Sequence, residues 1–296
     1  LHLCDRRQRQ MCIRDSNKTI AFWKRFKLSF YKDPKNATFH YRMAVVAIMK
    51  NEGAYIKEWI DFHLKVGVEH FYIYNNDSTD NMLEVLKPYV EAGKVTVIDF
   101  PGRKMQIPAY YDAMDRFRNE AKYIAVIDGD EFLMPVQKGK LLAEVVDEIL
   151  AKDRFAGAVA VNWRMYGSSG HEKKPEGGVL KNFLYRAKED GPWNNHVKQI
   201  VNPRMVYKFY HPHCVLFSLI HHSIDEDGKI VKGPFNDFYH TPQLIRINHY
   251  FCKSKEEWIK RRSQGTVIDD SVRSMDEFYE RNRNDIFDDI ALRYVD

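Results

Sequence analysis

Three carboxylates fall within four residues at Asp128-Gly129-Asp130-Glu131. Carboxylates this close repel one another and raise each other's pKa unless a cation lies among them. A hard divalent ion such as Mg²⁺ or Mn²⁺ suits that place, because it prefers carboxylate oxygen and can bridge to substrate phosphates. Gly129 between the aspartates allows a tight turn or the close approach of a ligand to the backbone. The competing reading is a solvated acidic turn, and an isolated Asp-x-Asp does not separate the two. Ahead of the turn, Tyr123-Ile124-Ala125-Val126-Ile127 is mostly apolar and partly β-branched, which predicts a buried strand running into it.

The elements that must position this turn begin at Met43-Ala44-Val45-Val46-Ala47-Ile48, a continuous apolar run expected of a strand buried on both faces. Lys50-Asn51-Glu52-Gly53 follow, then a helix with Ile56, Trp59, Ile60 and His63 on one side, stopping near Gly67. A second strand over 71–74 ends in Asn75-Asn76-Asp77-Ser78-Thr79-Asp80, where Ser78 or Asp80 can cap a helix carrying Met82, Leu83, Leu86 and Val90. A third strand over 95–100 and a helix over 106–118 lead to the strand before the acidic turn. This β-α-β-α-β-α-β order predicts a parallel sheet with helices on its faces. Ligands of such sheets bind outside the carboxyl ends of the strands. Glu52, Asn76, Asp128 and Asp130 all fall at those ends and are expected to face one cleft.

Beyond Leu133 the pattern is less regular. A helix over 139–152 leads to a strand over 158–161. Asn162-Trp163-Arg164-Met165-Tyr166-Gly167-Ser168-Ser169-Gly170-His171 then reads as a small-residue loop, with Trp163 offering a flat face to a sugar or base. Strands over 179–186, 197–201 and 205–209 suggest a mixed or antiparallel edge. His211, His213, His221 and His222 lack helical metal-ligand spacing and read as surface or core residues. His249 closes a strand over 244–248, so it could complete a metal site begun by the aspartates. Ser254 and Glu257 form a capping box for a helix containing Trp258 and Ile259, and Ser274 with Glu277 opens a last helix over 274–290.

The chain has 296 residues, 44% hydrophobic and 14% aromatic, enough for a sizeable core in one large domain or one domain with an appendage. Its net charge of +5 without a long basic run argues against nucleic-acid binding and is compatible with an anionic small ligand. No stretch approaches the ~20 apolar residues that span a bilayer. Met11-Cys12-Ile13-Arg14-Asp15-Ser16 resembles a translated sequencing adapter, so residues 1–16 are expected to be a non-native leader. That leader carries four Arg against two Asp, and without it the net charge falls to +3. Cys214 and Cys252 then remain, too few for a cysteine-rich zinc motif and consistent with reduced cytosolic thiols. Residues 17–42 form a basic, aromatic extension that reads first as a packed segment, with an amphipathic helix on a membrane surface as the alternative. The chain is therefore expected to be cytoplasmic, with peripheral contact at the inner face of a membrane left open.

Taken in order, several of these motifs are similar to the family-2-like and family-92-like (DUF23) glycosyltransferases of the GT-A fold. They are Lys50-Asn51-Glu52, Glu58-Trp59, His63, Gly67, the run from Tyr74 to Asp80, Gln106-x-x-Ala109-Tyr110, the acidic turn through Leu133, Trp163 to Gly170, and His249-Tyr250-x-x-Lys253-Ser254. Together they cover roughly residues 43–265, leaving 266–296 as a C-terminal helical segment. The resemblance implies an α/β fold with a mixed, mostly parallel sheet, and a nucleotide-sugar donor, UDP-linked by expectation. It further implies an Mn²⁺ or Mg²⁺ ion on the Asp-x-Asp motif, a glycan or lipid-linked acceptor, inversion at the anomeric carbon and a role in bacterial surface polysaccharide synthesis. Carried over by position, Asp128, Asp130 and His249 become the metal set. Lys50, Asn51, Glu52, Asn76, Asp80, Gln106, Asp128, Trp163, Ser168 and Ser169 become the substrate-binding set.

Two departures stand out: Asn75-Asn76-Asp77-Ser78 replaces the Asp-Asp-Gly-Ser of family 2, and no Glu-Asp pair marks a base. His196 is the candidate base, with Asp225 and Glu226 as competitors, and Arg103, Lys104 and Lys198 are candidate cations for the leaving group. Three other function classes compete, one of them a metal-dependent phosphohydrolase with an Asp-x-Asp nucleophile, which would want a downstream Lys and a second acidic motif that the sequence does not present. A sugar-1-phosphate nucleotidyltransferase would carry a Gly-rich loop after its first strand, where Met49-Lys50-Asn51-Glu52 stands instead. A non-catalytic carbohydrate-binding module would explain the aromatics but not an acidic cluster at a buried strand end.

Overall fold

The computed structural model describes residues 19–295 except 20, 35, 36, 238 and 263–273; the leader 1–16 lies outside the described residues. Strands β1 (Tyr41–Met49), β2 (His70–Asn75), β3 (Val95–Asp99) and β4 (Ala121–Val126) run parallel in the spatial order β4-β1-β2-β3. Helices Ile56–Lys65, Met82–Glu91 and Gln106–Phe117 connect them, as the alternation predicts. Residues along β1 alternate between two cores, because successive side chains of a strand point to opposite faces. Met43, Val45, Ala47 and Met49 join the larger core with the first helix, while Ala44, Val46 and Ile48 join a second with the helix Gln106–Phe117.

The sheet continues as a mixed one. After β5 (Glu131–Pro135) and the helix Leu142–Leu150 come β6 (Ala156–Met165), a short helix Val179–Asn182, β7 (Tyr185–Arg186) and β8 (Val197–Val201). β8 lies antiparallel between β4 and β6. β9 (Val206–His211) and β10 (Cys214–Phe217) form a separate hairpin. β11 (His222–Ile224) runs parallel to β6 and antiparallel to β12 (Ile230–Val231). β13 (Ile245–His249) pairs parallel with β6 and antiparallel with β5. This second pairing brings the far end of the chain to the acidic turn.

Three sequence expectations are corrected. β6 extends through Asn162 and Trp163 to Met165, so Trp163 is a strand residue rather than part of a loop. Residues 179–186 are not one strand, because the Glu58 carboxylate accepts the Val179 and Leu180 amides and starts a helical turn there. Residues 274–290 are not one helix. The helix Met275–Arg281 ends at Asn282, and Asn282 and Asn284 accept the Ser168 and Ser169 amides. The chain is thereby drawn onto β7 as β14 (Ile286–Phe287) and closes in a 3-10 turn, Ile290–Tyr294. Both capping serines behave as read: Ser254 Oγ donates to Glu257, and Ser274 Oγ accepts the Glu277 amide.

Residues 21–28 are helical. Arg25 donates to the Phe217 and Ser218 carbonyls, and Asp33 pairs with Arg204, so this segment is docked on the body of the protein. Phe22, Trp23, Phe26 and Phe30 nevertheless face outward as a contiguous aromatic ridge. Among the described residues no helix is long and apolar enough to cross a membrane.

Candidate functional site

The acidic turn is a closed loop between β4 and β5. The Glu131 amide donates to the Asp128 carbonyl (3.1 Å), and the Asp128 amide donates to Glu131 Oε2 (2.9 Å). Behind it, the helix Ile56–Lys65 holds the start of β5 by its backbone. Trp59 Nε1 donates to the Glu131 carbonyl (2.8 Å), and one turn later His63 Nε2 accepts the Leu133 amide (3.1 Å). His63 Nδ1 lies 2.7 Å from the Trp59 carbonyl, which fixes the neutral tautomer with its proton on Nδ1. From the other side, the Tyr250 amide donates to the Asp130 carbonyl (2.9 Å), locking the end of β13 onto the turn.

The repulsion expected among the carboxylates is relieved by three cations of the chain itself. Lys198, fully buried on β8, places Nζ 2.8 Å from Asp128 Oδ2 and 3.8 Å from Glu131 Oε2. Burial opposes the Lys198 charge, but Asp128 and Glu131 outweigh it and raise its pKa. Glu131 is held well above the carboxylate range by burial, which the adjacent Asp128 and Asp130 reinforce and Lys198 opposes. Arg261 Nη1 donates to Asp130 Oδ2 (2.9 Å), and His249 Nε2 lies 3.4 Å from Asp130 Oδ1. Burial raises the Asp130 pKa, yet Arg261, His249 and Lys253 together hold it well below the usual range. Lys253 Nζ stands 3.5 Å from Glu52 Oε2 and over the Tyr55 ring.

The expected metal set does not converge as three ligands. Asp128 is turned toward Lys198 and Gln106, whose Nε2 bridges Asp128 Oδ1 (3.1 Å) and the Tyr110 hydroxyl (2.9 Å). Among the described residues no group of three or more His, Cys, Asp or Glu is placed to hold a metal ion. Asp130 and His249 remain as a pair. Both are buried, and their facing oxygen and nitrogen stand at a separation that two adjacent ligands of one cation can adopt. Magnesium-type ions take one or two protein ligands and fill the rest with water and phosphate, so this pair fits such an ion.

The remaining predicted donor residues divide into those at the acidic turn and those that shape its rim. Glu52 belongs to the first group, since a side chain at Gly129 would press on Glu52 Cγ and on Met49. Asn51, in the left-handed region with φ 58°, accepts the Thr79 amide, and Asp80 accepts the Gly53 and Met82 amides. Asn76 donates to the Phe100 and Gly102 carbonyls. These three tie the loops after β1, β2 and β3 together. Lys50, Arg103 and Lys104 lie exposed on the surface.

Trp163 is buried, with His249 packed at 4.2 Å, His196 stacked at 4.9 Å and His213 at 5.0 Å between ring centres. Its face is thus occupied by histidines. His196 thus shares the Trp163 ring with His249, and desolvation pushes its pKa down to about 4. Asp225 and Glu226 lie elsewhere: they accept amides of residues 227, 229 and 243–245 and order their own loop. Ser168 and Ser169 hold the segments around Asn282, Leu184 and Tyr185. Sequence reading assigned no role to Arg261, and gave Glu131 none beyond its place among the clustered carboxylates. Nothing in the sequence singles out Arg261 within Lys260-Arg261-Arg262; the packing of the helix Lys255–Arg262 places its guanidinium on Asp130.

The buried histidines predict acid sensitivity. Desolvation lowers His63 to about 3 and His213 to about 2. Their folded values lie below the unfolded value of about 6.5, so the folded chain binds fewer protons in that interval. Their contribution to stability is fully present above about pH 6.5 and is lost as the pH falls toward the folded values. Urea midpoints should therefore drop between pH 7.5 and 5.5; an unchanged or higher midpoint at the lower pH contradicts the assignment.

Comparison with known proteins bears on this geometry. The model of glycosyltransferase family 92 matches residues 43–282. A family 92 protein of Oryza sativa subsp. japonica is 28% identical over 173 residues, 58% of this chain and 29% of that protein. The beta-1,4-galactosyltransferase galt-1 of Caenorhabditis elegans is 26% identical over 221 residues, 70% and 47% of the two chains. The galactan beta-1,4-galactosyltransferase GALS3 of Arabidopsis thaliana is 32% identical over 222 residues, 64% and 43%. The chain thus spans between about a fifth and a half of the length of the curated relatives it matches. Among solved structures, S. aureus TarS 1-349 in complex with UDP aligns with a TM-score of 0.36 at 13% identity, covering 55% of this chain and 47% of that one.

Proposed function

The chain belongs to glycosyltransferase family 92, and from that premise we propose that it transfers a sugar from a nucleotide-sugar, UDP-linked, to a hydroxyl of a glycan or lipid-linked acceptor. The observation that carries the proposal is the buried Asp130–His249 pair, set among Lys198, Lys253 and Arg261 where β1, β4 and β13 end. Such an arrangement suits an anionic ligand whose charge is matched by both protein cations and a held metal ion. The relatives galt-1 and GALS3 bear names of β-1,4-galactosyltransferases, so UDP-galactose is the first donor to test. The GALS3 name also supports a polysaccharide acceptor.

In this reading Asp130 and His249 would hold a divalent ion, Mn²⁺ or Mg²⁺. When bound, such an ion neutralises charge on the diphosphate. The acceptor oxygen forms a bond to the anomeric carbon while the bond from that carbon to the phosphate oxygen breaks, and the nucleoside diphosphate leaves with the electron pair. Arg261 and Lys253 stabilise the negative charge that gathers on it. Lys198 and Gln106 orient Asp128, whose carboxylate is a third exposed and can accept a donor hydroxyl. The proton of the acceptor needs a base, and inversion is the stereochemical outcome that the reading carries. His196 is kept for that role: Nδ1 is engaged with the Trp193 carbonyl, and the ring is neutral at pH 7.

Calorimetric titration with UDP, with and without Mn²⁺, tests the proposal. Binding that requires Mn²⁺ is expected, and a carbohydrate-binding module would show none. Failure of every nucleoside diphosphate to bind under any metal condition would sink the donor-site assignment. The outward aromatic ridge, with Lys24, Lys27 and Lys32 exposed beside it, supports peripheral contact with an anionic membrane. Phe26→Ser/Phe30→Ser should release the protein from phosphatidylglycerol vesicles in sedimentation; equal retention of the variant would refute this.

A further inference from the structure

Asp130 has two oxygens and two partners. Oδ1 faces His249 Nε2, and Oδ2 receives the Arg261 guanidinium. Asp130 is only 3% exposed, so little water is available to screen charges placed beside its carboxylate. A divalent ion taken by Asp130 and His249 would place a second positive charge on the same carboxylate that Arg261 already neutralises. Two cations would then crowd one buried carboxylate. The three internal cations differ in their freedom to respond. The Lys198 side chain is 0% exposed and shared by two carboxylates, whereas that of Arg261 is 32% exposed. Among the described residues, Arg261 also donates to the Phe251 carbonyl (3.2 Å) and lies near the Phe251 ring. Its planar fork matches a diphosphate in two-point fashion, which an ammonium group does not.

We propose that Arg261 and a divalent cation are alternative partners of Asp130, so that loading the cation frees the Arg261 guanidinium for the diphosphate of the donor. This inference rests on the assignment of Asp130 and His249 as the cation pair. Arg261 is thereby both a place-holder that keeps the buried carboxylate neutralised in the empty site and a donor-binding residue in the loaded one. The consequence is a coupling of opposite sign for two ligands. Removing the guanidinium helps the metal ion and harms the nucleotide.

The test measures binding of Mn²⁺ alone, by loss of the free-ion electron paramagnetic resonance signal, and of UDP at saturating Mn²⁺ by calorimetry. Wild type, Arg261→Gln and Arg261→Lys are compared, each checked by thermal melting. Arg261→Gln is expected to tighten Mn²⁺ and to weaken UDP, each by about tenfold, within the usual range of coupling between sites. Arg261→Lys, which keeps the charge and loses the fork, should leave Mn²⁺ affinity near wild type and weaken UDP. It decides the matter on its own if the glutamine variant does not fold, since wild-type UDP affinity in Arg261→Lys overturns the proposal. Equal or weaker Mn²⁺ binding by Arg261→Gln overturns it too, while wild-type Mn²⁺-dependent UDP binding keeps the cation pair standing. Absence of Mn²⁺ binding in every variant, with or without UDP, instead removes the cation assignment on which the proposal rests.

Discussion

Asp130→Asn is expected to weaken Mn²⁺-dependent UDP binding by at least about 100-fold, because loss of even an outer-shell partner of a metal costs 10–100-fold and this residue would hold the ion directly. The substitution keeps the shape of the side chain and one carbonyl oxygen, so the turn closed by the Glu131 amide and the Tyr250–Asp130 backbone bond should persist. What disappears is the charge that pairs with Arg261 and His249. The same charge carries a stability term. The folded pKa of Asp130 is depressed below its unfolded value, so the stabilisation is present above about pH 4 and is lost as the pH falls through the folded value. Asp130→Asn should thus be less stable than wild type at pH 7, with the difference shrinking in acid. Calorimetry and urea melts on the same preparations separate the two effects. UDP binding within a few-fold of wild type would show that the cation is held elsewhere.

The second large effect concerns Lys198. Its ammonium is wholly buried between Asp128 and Glu131, so Lys198→Met leaves the Asp128 carboxylate beside the Glu131 side chain without its counter-ion. Removing one partner of a buried pair costs about 3–5 kcal/mol, since the stranded charge keeps its desolvation penalty. For a domain of this size that corresponds to a fall in Tm of roughly 10 °C. Glu131 would respond by taking up a proton more readily still, given that burial already raises its pKa. The double variant Lys198→Met/Glu131→Gln should therefore recover part of the loss. A Tm within about 2 °C of wild type for Lys198→Met would mean that Lys198 is not the counter-ion of the turn.

Local physics made much of this protein legible from its residues. Continuous apolar runs alternating with amphipathic stretches announced β1 to β4 and their helices, because periodicity reflects which faces of an element are buried. The parallel order then placed Glu52 and the acidic turn together, since such sheets collect the carboxyl ends of neighbouring strands on one edge. Ser254, Glu257 and Ser274 marked true helix starts, their caps being made within three residues. His249 was legible because the strand pattern ended on it.

The tertiary structure decided what depends on partners far away in sequence. The helical turn at Val179–Asn182 is capped by Glu58, 121 residues earlier, so its local pattern read as a strand. The C-terminal stretch after Asn282 was drawn from helix to strand by Ser168 and Ser169. Above all, three carboxylates in a row state only that a cation is needed. Which cation meets which oxygen follows from β8 inserting beside β4 and from the helix after β13 folding back over the turn. These bring Lys198 and Arg261 across separations of 70 and 131 residues. Backbone periodicity is a property of a few neighbouring residues, whereas charge pairing in a buried site is a property of strand order and packing.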